Sequence, residues 1–377
     1  MSSFRRLVAA VLLLLVAFPF PANGATATRK AGALRVVGNR LVDAAGRTVQ
    51  LRGVNRSSPE TLCLGTGRDS FFYGPTDSAS VNAIKSWSAN AVRIPITEDC
   101  WLGRNGLPRS LTAEEYRRQI AAYTRLVLNA GLYVIIDVHF ASTTLHGVEQ
   151  PSWGPAPMLG AAHGVELWQS IVATFARDEG IVYDLYNEPH SINWACWRDG
   201  CTDPLTGSRY LGMQALVTAV RAAGAKNPLL VTGPSWGAEI GWWLAYQPVD
   251  PLKSLIAGVH IYDGHGCSAL WCLEERVASV ARSVPVVIGE LGALDCAGLF
   301  LTALPAWADR YGISYLAFTW NVPRGMPCPS YHLITSFDGT PTPAGSVFRS
   351  HLRGVAGVRV KTLPKLGYSP LRRVTRR

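Results

Sequence analysis

Beyond its opening segment the chain has no apolar run that approaches the roughly 20 residues needed to cross a bilayer, so the body is not a membrane-spanning protein. It also lacks a glycine-rich phosphate turn after its first apolar strand. Gly53-Val54-Asn55-Arg56 stands there instead, which argues against a dinucleotide-binding sheet. No His-Glu-x-x-His helix pairs two histidines for zinc, and His146 and His163 are weak metal candidates. No repeat, low-complexity stretch or linker divides residues 30–352, which implies one domain. Basic residues do not interleave with aromatics in the body, so nucleic acid is excluded as a partner. The net charge of +10 misleads on this point: Arg5 and Arg6 supply two positives and residues 353–377 supply eight with no acid, leaving residues 28–352 at zero.

At the start, Arg5-Arg6 precedes the apolar run Leu7–Phe20 and the small residues that follow it. The pattern predicts a secretory signal over residues 1–27, cleaved rather than retained as an anchor, and a secreted or cell-wall-associated protein. A catalytic-size body over 28–352 and a basic tail over 353–377 complete the predicted layout. The tail reads as a solvated strip that can touch an anionic wall polymer or membrane surface. The body reads as a monomer.

From Leu34 the segment turns at Gly38-Asn39 and Ala45-Gly46 and predicts a β-hairpin. A rhythm of apolar strand, loop and helix follows, with strands over 49–54, 90–95, 131–138, 181–187, 228–233, 256–262, 285–290 and 313–319. Between them lie amphipathic segments such as Thr112–Ala130, whose Glu114 and Glu115 suit a first helical turn. Eight such units predict an α/β fold, a (β/α)₈ TIM barrel with an N-terminal β-hairpin. An open doubly wound sheet is the alternative.

Eight cysteines fall after the predicted strands and outside the predicted helices. In an oxidising compartment an even count reads as disulfides; eight cysteines permit 105 pairings, and the preferred set, joining the same or adjacent loops, is Cys63–Cys100, Cys196–Cys201, Cys267–Cys272 and Cys296–Cys328. The two Cys-x4-Cys spacings are the zinc alternative, disfavoured by that compartment. Tryptophan concentrates in the same loops: Trp101, Trp153, Trp194, Trp197, Trp236, Trp242, Trp243, Trp271 and Trp320, against Trp87, Trp168 and Trp307 in helices. Rings gathered on one face suit the apolar faces of sugars, although any single one is as readily a packing residue.

Two glutamates end buried apolar runs: Glu188 in Ile-Val-Tyr-Asp-Leu-Tyr-Asn-Glu-Pro and Glu290 in Val-Pro-Val-Val-Ile-Gly-Glu. Carboxylates at the mouth of a barrel, facing each other, supply what glycosidic hydrolysis needs: one acid and one nucleophile or base. Other polar residues mark further strand ends: Arg93 in Asn-Ala-Val-Arg-Ile-Pro-Ile, His139 in Ile-Ile-Asp-Val-His-Phe, His260 and Tyr262 in Gly-Val-His-Ile-Tyr, and Trp320 in Ala-Phe-Thr-Trp-Asn. Asp137 and Asp184 read as structural, and Glu98 and Asp99 as solvated loop acids. In this combination and order, over residues 34–352, the sequence resembles glycoside hydrolase family 5, the cellulase-like retaining glycosidases.

That resemblance implies Glu188 as acid/base and Glu290 as nucleophile, the latter kept ionised by Arg93 and Tyr262. It implies Asn187 at the sugar 2-hydroxyl, His139 and His260 at substrate hydroxyls or on Glu188, and Trp320 as the floor under the reacting sugar. No metal and no organic cofactor is implied; the expected partner is a polysaccharide or oligosaccharide substrate. Leu-Arg-Gly-Val-Asn-Arg-Ser (51–57), Gly-Pro-Thr-Asp (74–77) and Ile-Thr-Glu-Asp-Cys-Trp-Leu-Gly (96–103) are similar to a branch with β-galactofuranosidase and arabinofuranosidase activity, which makes a β-galactofuranoside the leading substrate expectation. The alternatives are a cellulase-like endo-β-1,4-glucanase and a non-catalytic carbohydrate-binding wall protein.

Overall fold

Parallel strands buried on both faces read as unbroken apolar, β-branched runs, and eight such runs meet in the computed structural model. It describes residues 30–63, 70–105, 112–152, 154–293, 297–322 and 331–356. In chain order the runs are β1 (Arg52–Asn55), β2 (Ala91–Thr97), β3 (Tyr133–Phe140), β4 (Ile181–Asp184), β5 (Leu229–Thr232), β6 (Leu255–Tyr262), β7 (Val286–Gly292) and β8 (Ser314–Ala317). Each pairs in parallel with its sequence neighbours, and β8 pairs with β1, so the predicted eight-stranded barrel closes. A Cβ at Gly53 would stand 1.9 Å from the Ala91 carbonyl oxygen, so only glycine lets β1 approach β2 this closely.

Side chains two apart share a strand face, and the barrel interior is therefore layered. Leu51, Ala91, Ile135, Val182, Leu230, Ile256, Val287 and Leu316 form a lower apolar ring. Leu34 and Leu41 join that ring from a small antiparallel sheet, Arg35–Val37, Arg40–Val42 and Thr48–Val49, which plugs the N-terminal end. The predicted hairpin thus gains a third strand, and β1 begins at Arg52 because Thr48–Val49 pairs with this plug. Two residues beyond the ring the same strands present Arg93, Asp137, Asp184 and Thr232, all buried. The upper layer is polar, and it points toward the mouth.

Helices cover the outside. Thr112 Oγ1 accepts the Glu115 amide at 3.1 Å and starts helix Ala113–Asn129, matching the predicted span. The last helix, Pro343–Gly354, extends two residues beyond 352, and Arg353 donates to the Ser86 carbonyl at 2.9 Å. The predicted signal, residues 1–27, and the tail from 357 lie outside the described residues. Among the described residues no helix is long and apolar enough to cross a membrane.

Three predicted disulfides are present: Cys63–Cys100, Cys196–Cys201 and Cys267–Cys272. Cys296 and Cys328, the fourth predicted pair, lie outside the described residues. Contrary to expectation, Cys100, Cys196 and Cys272 sit in short helices, Glu98–Leu102, Trp194–Asp199 and Leu270–Cys272. Long rim loops satisfy their own backbone groups by taking helical turns.

Candidate active site

The polar layer is organised by Arg93, which is fully buried. Its Nη1 donates to Glu290 Oε1 at 2.6 Å and Asn55 Oδ1 at 3.0 Å, its Nη2 to Asn187 Oδ1 at 2.7 Å, and its Nε to Asp184 Oδ2 at 3.1 Å. Asp137 Oδ2 lies 3.0 Å from Nη2. Burial disfavours charge on these groups, and one guanidinium shared among three carboxylates offsets that cost; burial still pushes the Asp184 carboxyl up to about 7. Asp137 and Asp184, read from the sequence as structural, both reach the Arg93 guanidinium and so belong to the polar layer of the site. Asp137 is two residues from His139 on one strand face, and its Oδ2 is 2.7 Å from His139 Nδ1.

Glu290 sits inside β7, where a bulge between β6 and β7 sets it beside His260. It is buried, and burial pushes its carboxyl up. The charges of His260, Arg93 and His139 and the hydroxyl of Tyr262, which donates to Oε2 at 2.6 Å, outweigh that and hold it well below the usual carboxylate range. Glu188 lies four residues past the end of β4, on a loop tied down by the Asn187 amide donating to the Val138 carbonyl at 3.0 Å. Its side chain is 20% exposed, and its Oε1 is 2.8 Å from His260 Nδ1, which is itself 3.8 Å from Glu290 Oε2. Burial opposes a charged His260, but the charge of Glu290 and the contact with Glu188 raise its pKa above the ordinary histidine value. His139 is raised to about 9, its burial overcome by Asp137.

A carboxylate oxygen of Glu188, one of Glu290 and a ring nitrogen of His260 all lie within 4.8 Å of one another. Among the described residues this is the one grouping whose donors could converge on a metal ion. Both Glu290 oxygens are already committed, to a guanidinium and a phenol, so the set is better built to exchange protons than to hold a cation.

A cavity of about 740 Å³ opens over this group, lined by Glu188, His260, Tyr262 and Glu290 with Trp236, Trp271, Phe318 and Tyr331. Arg93, Asn187 and His139 lie beneath it, His139 Nε2 at 3.5 Å from Asn187 Nδ2. Trp320 is buried edge-on against Trp87 at 4.7 Å and does not line the cavity. Trp101, Trp197 and Trp243 are likewise buried, their indole N–H groups spent on Ser170, Thr232 and Val231, so these rings are core and no sugar platform. Trp153 lies outside the described residues. Glu98 and Asp99 are buried too, against the expectation of solvated acids, because they accept the Ser142 and Ser152 amides.

His190 and Tyr331 were not singled out by the sequence reading. His190 carries Trp236 face to face at 3.6 Å, and Trp236 holds a left-handed backbone at φ 60°, a costly conformation for a bulky residue. His190 directly follows Pro189 in the Asn-Glu-Pro loop, the one sequence signal that pointed to it.

Comparison with known proteins agrees with this geometry. The cellulase model (glycosyl hydrolase family 5) matches residues 42–323. A β-mannanase/endoglucanase A of Caldicellulosiruptor saccharolyticus is 24% identical over 315 residues, 81% of this chain and 21% of that protein. A mannan endo-1,4-β-mannosidase of Streptomyces lividans is 24% identical over 319 residues, 83% of this chain and 72% of that protein. The chain thus spans only about a fifth of the length of the first. Among solved structures, a β-glucanase of Saccharophagus degradans in complex with cellotetraose superposes with TM-score 0.66 at 20% identity, covering 90% of this chain and 98% of that one. Fold, mouth and motif order converge: the chain belongs to glycoside hydrolase family 5, the cellulase family of retaining barrel glycosidases.

Proposed function

We propose that the protein is an endo-acting retaining β-1,4-glycanase with Glu290 as nucleophile and Glu188 as acid/base, and that its substrate is a β-1,4-glucan. The observation that carries this is the unequal pair within 4.8 Å. One carboxylate is buried and clamped ionised; the other is partly exposed and lies 2.8 Å from a histidine ring nitrogen. Retaining enzymes hold their carboxyl groups roughly 5–5.5 Å apart, whereas inverting ones need about 6.5–9.5 Å to admit a water.

In this reading Glu290 attacks the anomeric carbon while Glu188 protonates the departing oxygen, giving a glycosyl ester on Glu290. Esterification removes the negative charge of Glu290. Glu188, whose proton has left with the departing chain, takes one from the incoming water as the water oxygen bonds the anomeric carbon and Glu290 departs as a carboxylate. Arg93 occupies the Asn187 carbonyl oxygen and leaves the amide nitrogen for a sugar 2-hydroxyl. His139 lies beside that amide at 3.5 Å, whereas Trp320, buried against Trp87, does not reach the sugar as the resemblance implied.

The relatives bear glucanase and mannanase names, and the galactofuranoside expectation receives no support from them. Mannan is the second reading, favoured by the Streptomyces lividans relative. Viscosity loss and reducing-end release on soluble cellulose and on mannan, with an aryl β-galactofuranoside alongside, decide among the three. A rapid viscosity fall on cellulose, abolished in Glu290→Gln, is the expected result. Turnover of the galactofuranoside alone would overturn it.

A further inference from the structure

Three consecutive residues of the loop after β5, Ser235, Trp236 and Gly237, hold left-handed backbone at φ 60°, 60° and 70°. Glycine takes that conformation freely; in serine and tryptophan it is costly. Burial does not account for it, because Trp236 is 49% exposed. Specific contacts hold the residue instead, and they run to the loop that carries Glu188. The Trp236 amide donates to the Pro189 carbonyl at 3.0 Å, and its ring lies on His190 with 8° between the planes. His190 is buried, its amide donates to the Pro157 carbonyl at 2.9 Å, and its Nδ1 lies 3.0 Å from the Glu188 carbonyl oxygen. A carbonyl only accepts, so Nδ1 carries the hydrogen and His190 is the donor. Burial lowers the His190 pKa, which favours the neutral ring in that role.

Gly237 reaches the other partner of Glu188. Its carbonyl accepts the His260 amide at 2.8 Å, and a Cβ there would stand 3.0 Å from His260 Cγ. The His260 ring in turn faces Glu188 Oε1 at 2.8 Å. One strained clip thus fixes Glu188 twice, at its main-chain carbonyl through His190 and at its carboxyl through His260. His190 does not line the cavity, so whatever it does for the reaction it does through Glu188. Glu188 stands past the end of its strand, and its reach depends on what ties its loop. An acid works only within hydrogen-bond reach of the oxygen it protonates, and a shift of about 1 Å at a reacting group can cost about 10²-fold.

We infer that His190 is a positioning residue for the acid: its Nδ1–H holds the Glu188 carbonyl, the Trp236 ring holds His190, and together they keep the Glu188 carboxyl within reach of the departing oxygen. The inference rests on Glu188 being the acid and adds what keeps it in place. Protonation of the leaving group is then the step that should respond when the clip is loosened, rather than sugar binding or attack by Glu290.

The test compares kcat/KM on two aryl β-cellobiosides, or the matching mannobiosides if the wild type prefers mannan. One carries phenol, which needs a proton to leave, and the other dinitrophenol, which does not. Glu188→Ala sets the limit: the dinitrophenyl-to-phenyl ratio should widen by about 10²–10⁴-fold, the contribution of a positioned acid. His190→Phe keeps a ring under Trp236 but has no donor, and should widen the ratio by about tenfold, a fraction of that contribution. His190→Asn, whose amide can donate to the same carbonyl, should recover most of the loss. Trp236→Gly removes the ring and relieves the left-handed backbone, so it should widen the ratio without lowering the melting temperature. A wild-type ratio in His190→Phe and Trp236→Gly would overturn the inference, as would equal losses on both substrates, while the split in Glu188→Ala would still stand for the acid. No split in Glu188→Ala would overturn the acid reading and this inference with it.

Discussion

Replacing Tyr262 by Phe removes one hydrogen bond to Glu290 and leaves the Arg93 contact in place. A hydrogen bond to a charged group is worth about 1.5–3 kcal/mol, and one pKa unit corresponds to about 1.4 kcal/mol. Loss of the hydroxyl should therefore raise Glu290 by about 1–2 units. Glu290 must be ionised to attack, so its titration forms the acid limb of kcat/KM. In wild type that limb lies below the ordinary glutamate value near about 4.3. In the variant it should move up by about 1–2 units, making the deficit far larger in acid than at neutral pH. Stability follows the same sign. A depressed carboxylate stabilises the fold above its unfolded pKa and loses that contribution as pH falls through its folded pKa. The variant should thus melt lower at neutral pH, with the gap narrowing on acidification. A pH–rate profile on an aryl glycoside is the assay, with melts across the same range. An acid limb that stays where it was, in a folded variant, would refute Glu290 as a nucleophile held by Tyr262.

His260→Gln should cut kcat by about 10²-fold, the low end for a proton-transfer partner, and displace the alkaline limb. His260 titrates above the ordinary histidine value, so its charge is lost as pH rises through that limb. An unchanged limb would exclude it from the proton path. Arg93→Met leaves Asp137, Asp184 and Glu290 buried without their cation and should cost about 3–5 kcal/mol, visible as a fall in the urea midpoint. A wild-type midpoint would contradict the clamp. Removing the Cys63–Cys100 bridge, which spans 37 residues, should cost about 3–4 kcal/mol by chain entropy while leaving the pH profile unchanged.

The barrel was readable because strands buried on both faces leave a signature no surface element has. Val-Val-Ile-Gly-Glu and Val-Ile-Ile-Asp-Val-His each run from an apolar core to a polar mouth within a few residues. The capping of helix 113–129 was local too, written in Thr112 and Glu115. Burial that depends on a distant partner was not readable. Glu98 looks like any loop acid until Ser142, 44 residues away, supplies its amide. Trp197 and Trp243 resemble platform rings until the carbonyls of Thr232 and Val231 are found beneath them. The residues proposed for catalysis stood out because their polarity conflicts with the apolar strands that carry them. His190 and Tyr331 show no such conflict, and their roles emerge only from the rings they touch.

The two-layer interior has a consequence for how variants of this enzyme will be sorted. Ile135 and Asp137 are two residues apart on one strand, as are Ala91 and Arg93, and Val182 and Asp184. Each pair shares one stiff stretch of backbone. An extra methylene in the lower ring would strain the core by about 1–3 kcal/mol and displace the carboxylate or guanidinium above it. Displacements of about 1 Å at a reacting group can cost about 10²-fold in rate. A screen scored on turnover would then report positions such as Ile135 as functional although no substrate atom reaches them, and separating the two classes requires melting and turnover on the same variants.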